Sequence, residues 1–482
     1  MKREQLRVIS QWLYNRKRIH LATIAAVLTL LSVIFVPMIT PTMAAAGDWP
    51  TYQFSNAHQG FNPGETTITP ATAPNLKLHW THTAAGSQIS TEPIVANGMV
   101  YWGSWDGFEH ATALNNAFVW ATKLGVTTDN ACNPPSVGVA DSPTVATITI
   151  GGTATPVVFV GGGNSIFYAL NANTGAIIWH TPLGSSPSHF LWSSPALYNG
   201  SIYVGMASFG DCPLVQGQMI QLNATTGAIQ HTFGTTPNSG CTGAGVWGAP
   251  TIDEATGLMY FVTGNAGSCS QSEPYATSIV KLNASDLSFS SSWQVPASEL
   301  VNDSDFGSTP TLFNATINGV PTNMVGVPNK NGIYYAFNRD VIHNGPLWRA
   351  HIASGGSCPQ CGNGSISPSA WDGTKLYAAG GSTTISGIAC KGSLRALNPA
   401  TGAFIWEHCM RDGPVLGAVT AVPGVVVVTQ GTYVIVVNAS TNQTLFRFHD
   451  TLSGSFFVSG ASISNGIIYV ANMDHNLYAL GL

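Results

Sequence analysis

Only 8% of the 482 residues are Asp, Glu, Lys or Arg, so charged groups that fall close together stand out. Asp303-Ser304-Asp305 sets two carboxylates two residues apart, and in so charge-poor a chain they need a cation or solvent to offset them. Lys330, in Pro328-Asn329-Lys330-Asn331-Gly332, carries an ammonium suited to negative charge that grows on an oxygen during a reaction. Trp247, in Val246-Trp247-Gly248-Ala249-Pro250, offers a broad, rigid π-face on which a planar ligand can stack. The same indole would serve equally as packing between structural elements. Asn265, at the end of Met259-Tyr260-Phe261-Val262-Thr263-Gly264-Asn265, is by itself an ordinary turn residue.

The eight cysteines are Cys132, Cys212, Cys241, Cys269, Cys358, Cys361, Cys390 and Cys409. Cys358-Pro-Gln-Cys361 has the spacing of a zinc or redox pair, but no second Cys pair or His pair completes a zinc site, so it reads as a loop disulfide. No Cys-x-x-Cys-His is present, which excludes covalent c-type haem. Cys390 and Cys409 flank two strands joined at Pro399-Ala400-Thr401-Gly402, about equally far from the turn, and are expected to pair.

Six of the 17 basic residues (Lys2, Arg3, Arg7, Arg16, Lys17, Arg18) fall at the N-terminus, leaving 11 basic against 21 acidic residues after position 46. No basic stripe remains for nucleic acid. The basic stretch precedes an apolar run, Leu21–Ile39, and then Thr42-Met43-Ala44-Ala45-Ala46, the pattern of an export signal. Nineteen apolar residues also suffice for an uncleaved anchor. Residues 1–46 are therefore expected to be a signal peptide or membrane anchor, with everything from Gly47 extracytoplasmic and any membrane contact made through this segment alone. An even number of cysteines suits an oxidising compartment.

The elements that position these residues come from a repeat. A short strand, a turn of Asn-Gly type, an aromatic strand and Leu-Asn-x-x-Thr-Gly recur, most clearly at Leu170-Asn171-Ala172-Asn173-Thr174-Gly175 with Trp179 and at Leu397-Asn398-Pro399-Ala400-Thr401-Gly402 with Trp406. Weaker copies place the Asn at 115, 283, 338 and 438. Each unit reads as a four-stranded antiparallel sheet. Eight units fit, the last short of one strand that Leu76-Lys77-Leu78-His79-Trp80 would supply. The expected fold is an all-β, eight-bladed β-propeller over residues 78–482, led in by 47–77.

The Leu-Asn-x-x-Thr-Gly-x-x-x-Trp element resembles the tryptophan-docking motif of quinoprotein propellers that use pyrroloquinoline quinone (PQQ), the alcohol dehydrogenase-like family. The resemblance implies that Trp247 is the floor under the quinone, Lys330 a donor to its oxygens, Asp303 the catalytic base, and Asn265, Asp303 and Asp305 ligands of Ca²⁺ or a lanthanide. Asp211, in Ser208-Phe209-Gly210-Asp211-Cys212, stands where the family carries a Glu ligand. The chain departs from the family in having Asn for Asp in the motif, Ser90 where a first-blade Glu meets PQQ, and no adjacent-Cys disulfide ring. The implied activity is oxidation of a small or polymeric alcohol to an aldehyde or ketone, with electrons leaving to an external acceptor such as a cytochrome. The alternative is a non-catalytic propeller acting as an extracytoplasmic scaffold or binding module.

Overall fold

In a computed structural model, which describes residues 47–84, 87–238, 240–451 and 456–482, the run Thr420–Val422, Val425–Gln430, Tyr433–Asn438 and Thr444–His449 shows why these sequences fold as they do. The first two strands are buried throughout, the third is buried except at its ends, and the outermost alternates between exposed and half-buried. A β-branched run such as Val425-Val426-Val427-Val428 suits a strand covered on both faces, whereas alternation suits one wetted face. The four strands pair antiparallel in order, making one blade.

Seven further sheets share this meander, spanning 94–123, 144–182, 196–234, 251–294, 311–351 and 370–410, with the last built from Ser462–Ser464, Ile467–Ala471 and Asn476–Gly481. The fourth strand of that last blade is Lys77–Thr83, paired antiparallel with Asn476–Gly481, so the two ends of the described chain close one sheet. Closure removes a pair of exposed sheet edges. The hairpin at Asn97-Gly98 has both residues at positive φ, 54° and 75°, the geometry an Asn-Gly turn supplies at low cost.

The docking motif does its work between blades. Trp120 Nε1 donates to Ala172 O (2.8 Å), Trp179 Nε1 to Ala224 O (3.0 Å), Trp348 Nε1 to Pro399 O (2.9 Å), Trp406 Nε1 to Ala439 O (3.0 Å) and Trp80 Nε1 to Leu114 O (2.9 Å). Gly175 sits beneath Trp120 at φ 71°, where a Cβ would lie 2.7 Å from the indole. Only Gly meets both the left-handed backbone and the close approach.

Residues 49–62 form a strap that visits every blade in turn. Val95 N donates to Trp49 O, Val145 N to Pro50 O, Ile252 N to Asn56 O, Leu312 N to Ala57 O, Trp371 N to Gln59 O and Ala421 N to Gly60 O. Asn56 Nδ2 donates to Leu197 O and Asn62 Nδ2 to Ile463 O, which completes the circuit. The strap thus supplies partners for inner-strand backbone groups that would otherwise be buried without them.

All eight cysteines are paired: Cys132–Cys212, Cys241–Cys269, Cys358–Cys361 and Cys390–Cys409. The expected export segment, 1–46, lies outside the described residues; among those described, no helix is long and apolar enough to cross a membrane.

Candidate active site

The loops that lead into the inner strands surround a cavity of about 510 Å³, within the size range of small-molecule sites. Its walls include Trp105, Trp192 and Trp247, and its base includes Tyr52 of the strap. Trp247 is half-buried and packs edge-on against Gly307, where a Cβ would lie 2.1 Å from Cη2. No other residue could follow Asp305-Phe306 without displacing the indole.

Beside that ring the structure gathers four of the six residues singled out above. Lys330 Nζ lies 2.9 Å from Asp303 Oδ2 and 3.1 Å from Asp305 Oδ2, and 5.2 Å from the centre of the Trp247 ring. Asn265 Nδ2 donates to Asp303 Oδ1 (2.9 Å) and Asp305 Oδ1 (2.8 Å), and its backbone N–H donates to Asp305 Oδ1. Asp303 holds a left-handed backbone, φ 57°, and its carbonyl accepts from Asp305 N (2.8 Å), so the two carboxylates turn to one side. Non-Gly residues in this region cluster at functional sites.

The local electrostatics are strong because the ammonium is buried: the Lys330 side chain is 9% exposed. Burial alone would drive its pKa down, but Asp305 and Asp303 outweigh that and hold it above the ordinary value, so it stays charged. Asp303 is pushed up to about 6, first by burial and then by Asp305, with Lys330 opposing. Asp211 sits exposed at the rim and makes no hydrogen bond or ion pair with the other three acceptor residues among those described. Its carboxyl is raised by partial burial and by Asp305, with Lys330 again opposing. Three carboxylates and one ammonium leave a net charge that a multivalent cation would offset.

These residues are of the kinds that hold a quinone and a metal, although among the described residues no three Asp, Glu, His or Cys side chains gather closely enough for a metal ion. The donor set of carboxylate and amide oxygens is that of a hard cation. Its amide is turned with the NH₂ toward the aspartates and Oδ1 toward Gly267 N (3.0 Å), so ligation by Asn265 needs the amide rotated. For a flat anionic ligand the cavity offers the indole of Trp247 and the hydroxyls of Ser142 and Ser194, each of which accepts a backbone N–H and keeps a proton to donate, while the Lys330 ammonium is not in the lining itself and lies beside it, over the Trp247 ring. Ser90, noted above as a departure, lines the cavity and accepts a hydrogen bond from Trp105 Nε1 (2.9 Å).

Sequence reasoning missed Tyr52, Gln360 and the hydroxyls of the floor. Glu92, Ser142, Ser194, Ala249, Thr309, Pro368, Ala418 and Gly460 each stand three residues before an inner-strand residue that the strap contacts, and most of them line the cavity base. A Pro follows five of them directly, a signal that an inspection of the repeat starts could have found.

Comparison with known proteins agrees with this architecture. A family model described as "Outer membrane protein assembly factor BamB" matches residues 119–267 and 322–481, and one described as "Glucose/ethanol/alcohol dehydrogenase, beta-propeller domain" matches 235–348. A polyvinylalcohol dehydrogenase of Sphingopyxis sp. (strain 113P3) is 24% identical over 417 residues, covering 76% of this chain and 59% of that protein. A second, of Pseudomonas sp., is 25% identical over 236 residues, covering 44% and 35%. The chain thus matches less than two thirds of the length of either relative. The quinohemoprotein alcohol dehydrogenase of Comamonas testosteroni superposes with a TM-score of 0.74 at 17% identity, covering 91% of this chain and 81% of that one. On its repeats, its eight closed blades and these matches, the chain belongs to the PQQ-repeat family of quinoprotein alcohol dehydrogenase-like propellers.

Proposed function

We propose that the chain forms the propeller of an extracytoplasmic PQQ-dependent dehydrogenase that oxidises an alcohol to an aldehyde or ketone. The observation that carries this reading is the convergence of Asp303, Asp305, Asn265 and Lys330 against the face of Trp247 at the edge of a roomy cavity. Four disulfides support an oxidising compartment. The polyvinylalcohol dehydrogenases among its relatives make a polymeric secondary alcohol a substrate to try alongside small ones.

In this reading Trp247 and Lys330 hold PQQ, and Asn265, Asp303 and Asp305, with Asp211 from the rim, hold Ca²⁺ or a lanthanide ion. When bound, the quinone supplies a two-electron acceptor and the cation a Lewis acid. The chain's own residues supply the rest. Asp303, ionised at neutral pH, takes the proton from the substrate hydroxyl as the carbon gives up hydride. Its side chain is 25% exposed, so the proton can pass on to water. Lys330 stabilises negative charge on neighbouring oxygens, and the indole fixes the plane of the ligand. Electrons then leave to an external acceptor such as a cytochrome.

One observation favours the alternative, a non-catalytic scaffold: Lys330 is already neutralised by the two aspartates without any ligand. The deciding experiment is to reconstitute the protein with PQQ and Ca²⁺ or La³⁺ and follow an artificial electron acceptor while alcohols are added. Alcohol-dependent reduction supports the enzyme; none with any alcohol or metal supports the scaffold.

A further inference from the structure

We propose that three of the four disulfides, Cys132–Cys212, Cys241–Cys269 and Cys358–Cys361, are positioning devices for the site rather than staples for the propeller. The proposal rests on the reading of the Asp303–Lys330 cluster as a cofactor site, and it adds what holds that cluster in place.

Each of the three grips a loop that bears or cradles one site residue. Cys212 directly follows Asp211, and its partner Cys132 lies two residues before Pro134, which lines the cavity. Their sulfurs pack among Phe190, Phe209, Trp105 and Trp192, which ties the rim loop to two of the cavity's indoles. Cys269 ends the short turn that begins two residues after Asn265. Its partner Cys241 leads into the crossover whose Ala244 N donates to Asn265 O (2.7 Å).

Cys358–Cys361 encloses Gln360, which lines the cavity, and closes a loop folded onto the backbone of Lys330. Gly356 N donates to Lys330 O (3.0 Å) and Ser365 N to Asn329 O (3.3 Å). A Cβ at Gly364 would lie 2.1 Å from Lys330 O, so the loop has no slack there. By contrast, Cys390–Cys409 joins the hairpin Thr383–Cys390 to the outer strand Phe404–Met410; neither cysteine contacts a site residue, and the hairpin's flanks meet the loop beside Lys330 at Gly362, through Ser382 and Lys391.

Two physical rankings therefore disagree. A disulfide that acts by restricting the unfolded chain matters more as its loop lengthens, which orders the four by sequence separations of 80, 28, 19 and 3, placing Cys358–Cys361 last. A disulfide that acts by holding the site matters by where it sits, which places Cys390–Cys409 last. The disagreement is sharpest between these two.

The test compares the double variants Cys358→Ser/Cys361→Ser and Cys390→Ser/Cys409→Ser by melting temperature, by PQQ affinity in the presence of Ca²⁺, and by hydrogen exchange of residues 329–332. The first should keep its melting temperature within ~2–4 °C, lose PQQ affinity by about 10- to 100-fold, and exchange faster at 329–332. The second should melt lower and bind PQQ as the wild type does. Wild-type affinity in the first variant, or losses of affinity in both that track their melting temperatures, would overturn the proposal. If the wild-type protein binds no PQQ, the cofactor reading fails by itself. The exchange comparison then still decides, because unchanged protection of 329–332 in the first variant would refute positioning.

Discussion

Two regions of the ring are joined differently. Five junctions between neighbouring blades use an indole, and at each of them the residue paired across from the Trp is Ala: Ala111, Ala169, Ala336, Ala396 and Ala479. Three junctions have no such Trp: at one, away from the site, Phe446 stands opposite Val436, and the other two flank the candidate site. Their equivalent pairs are Gln221 with His231 and Lys281 with Ser291. Yet the same carbonyl of the next blade is still satisfied, by Tyr203 Oη at Ala284 O (2.6 Å), and by Tyr260 Oη (3.0 Å) and Lys281 Nζ (3.1 Å) at Arg339 O. The junction requires a donor to that buried carbonyl, whichever side chain brings it. Where the indole is kept, a large apolar area is buried as well; at the two junctions beside the site, where it is given up, disulfides hold the loops that carry Asp211 and Asn265.

The comparison is broken most severely by Asp303→Asn. If the site region carries activity without carrying the ring, turnover after reconstitution should fall by ~10²–10⁴, with PQQ binding and melting temperature nearly unchanged. An equal loss of melting temperature would show that the cluster is structural. Next in size, Trp120→Ala removes a docked indole that is 6% exposed, and should cost about 3–5 kcal/mol in chemical denaturation while PQQ affinity stays as in the wild type. Tyr203→Phe, at a junction without the indole, leaves Ala284 O unpaired and should cost only ~1–3 kcal/mol. Equal costs for these two would erase the distinction between the regions.

A last effect, seen only as a dependence on pH, concerns the floor that both regions share. Glu92 accepts from Trp49 Nε1 and Gln53 N (2.8 Å each), which anchors the strap, while its Oε2 faces Gly460. Burial raises its pKa from 4.5 to about 8, with those two hydrogen bonds opposing. Between these values the folded state keeps a proton that the unfolded chain has released, so this group makes stability fall as pH rises across that window and leaves it level above. Glu109 and Asp141, buried and also raised, act in the same sense. Glu92→Gln should therefore gain melting temperature relative to wild type at pH 8 and little at pH 5. A difference that does not vary with pH would contradict the assignment.

Much of this was legible in the sequence where a feature repeats or breaks a repeat. Leu170-Asn171 and Leu397-Asn398 mark blades because every blade needs the same turn and the same carbonyl, and Asp303, Asp305 and Lys330 stood out because little else in the chain is charged. The strap was not legible: Trp49, Asn56, Gln59 and Asn62 each serve a different blade, so no period links them. Nor could sequence pair Cys132 with Cys212, 80 residues apart, since that proximity exists only once the first three blades have packed side by side. Asp211 was singled out by resemblance, and the structure leaves it at the rim, apart from the hydrogen-bonded cluster of Asn265, Asp303, Asp305 and Lys330.

The central claim is that Trp247 is the platform of a PQQ site, and spectroscopic titration of PQQ with Ca²⁺ or La³⁺ into the wild-type protein and Trp247→Ala tests it most directly. The account predicts saturable binding to the wild type, weakened by roughly 10- to 100-fold in the variant through lost stacking area. Absence of binding to the wild type with either metal, or equal affinity of the two proteins, would contradict it.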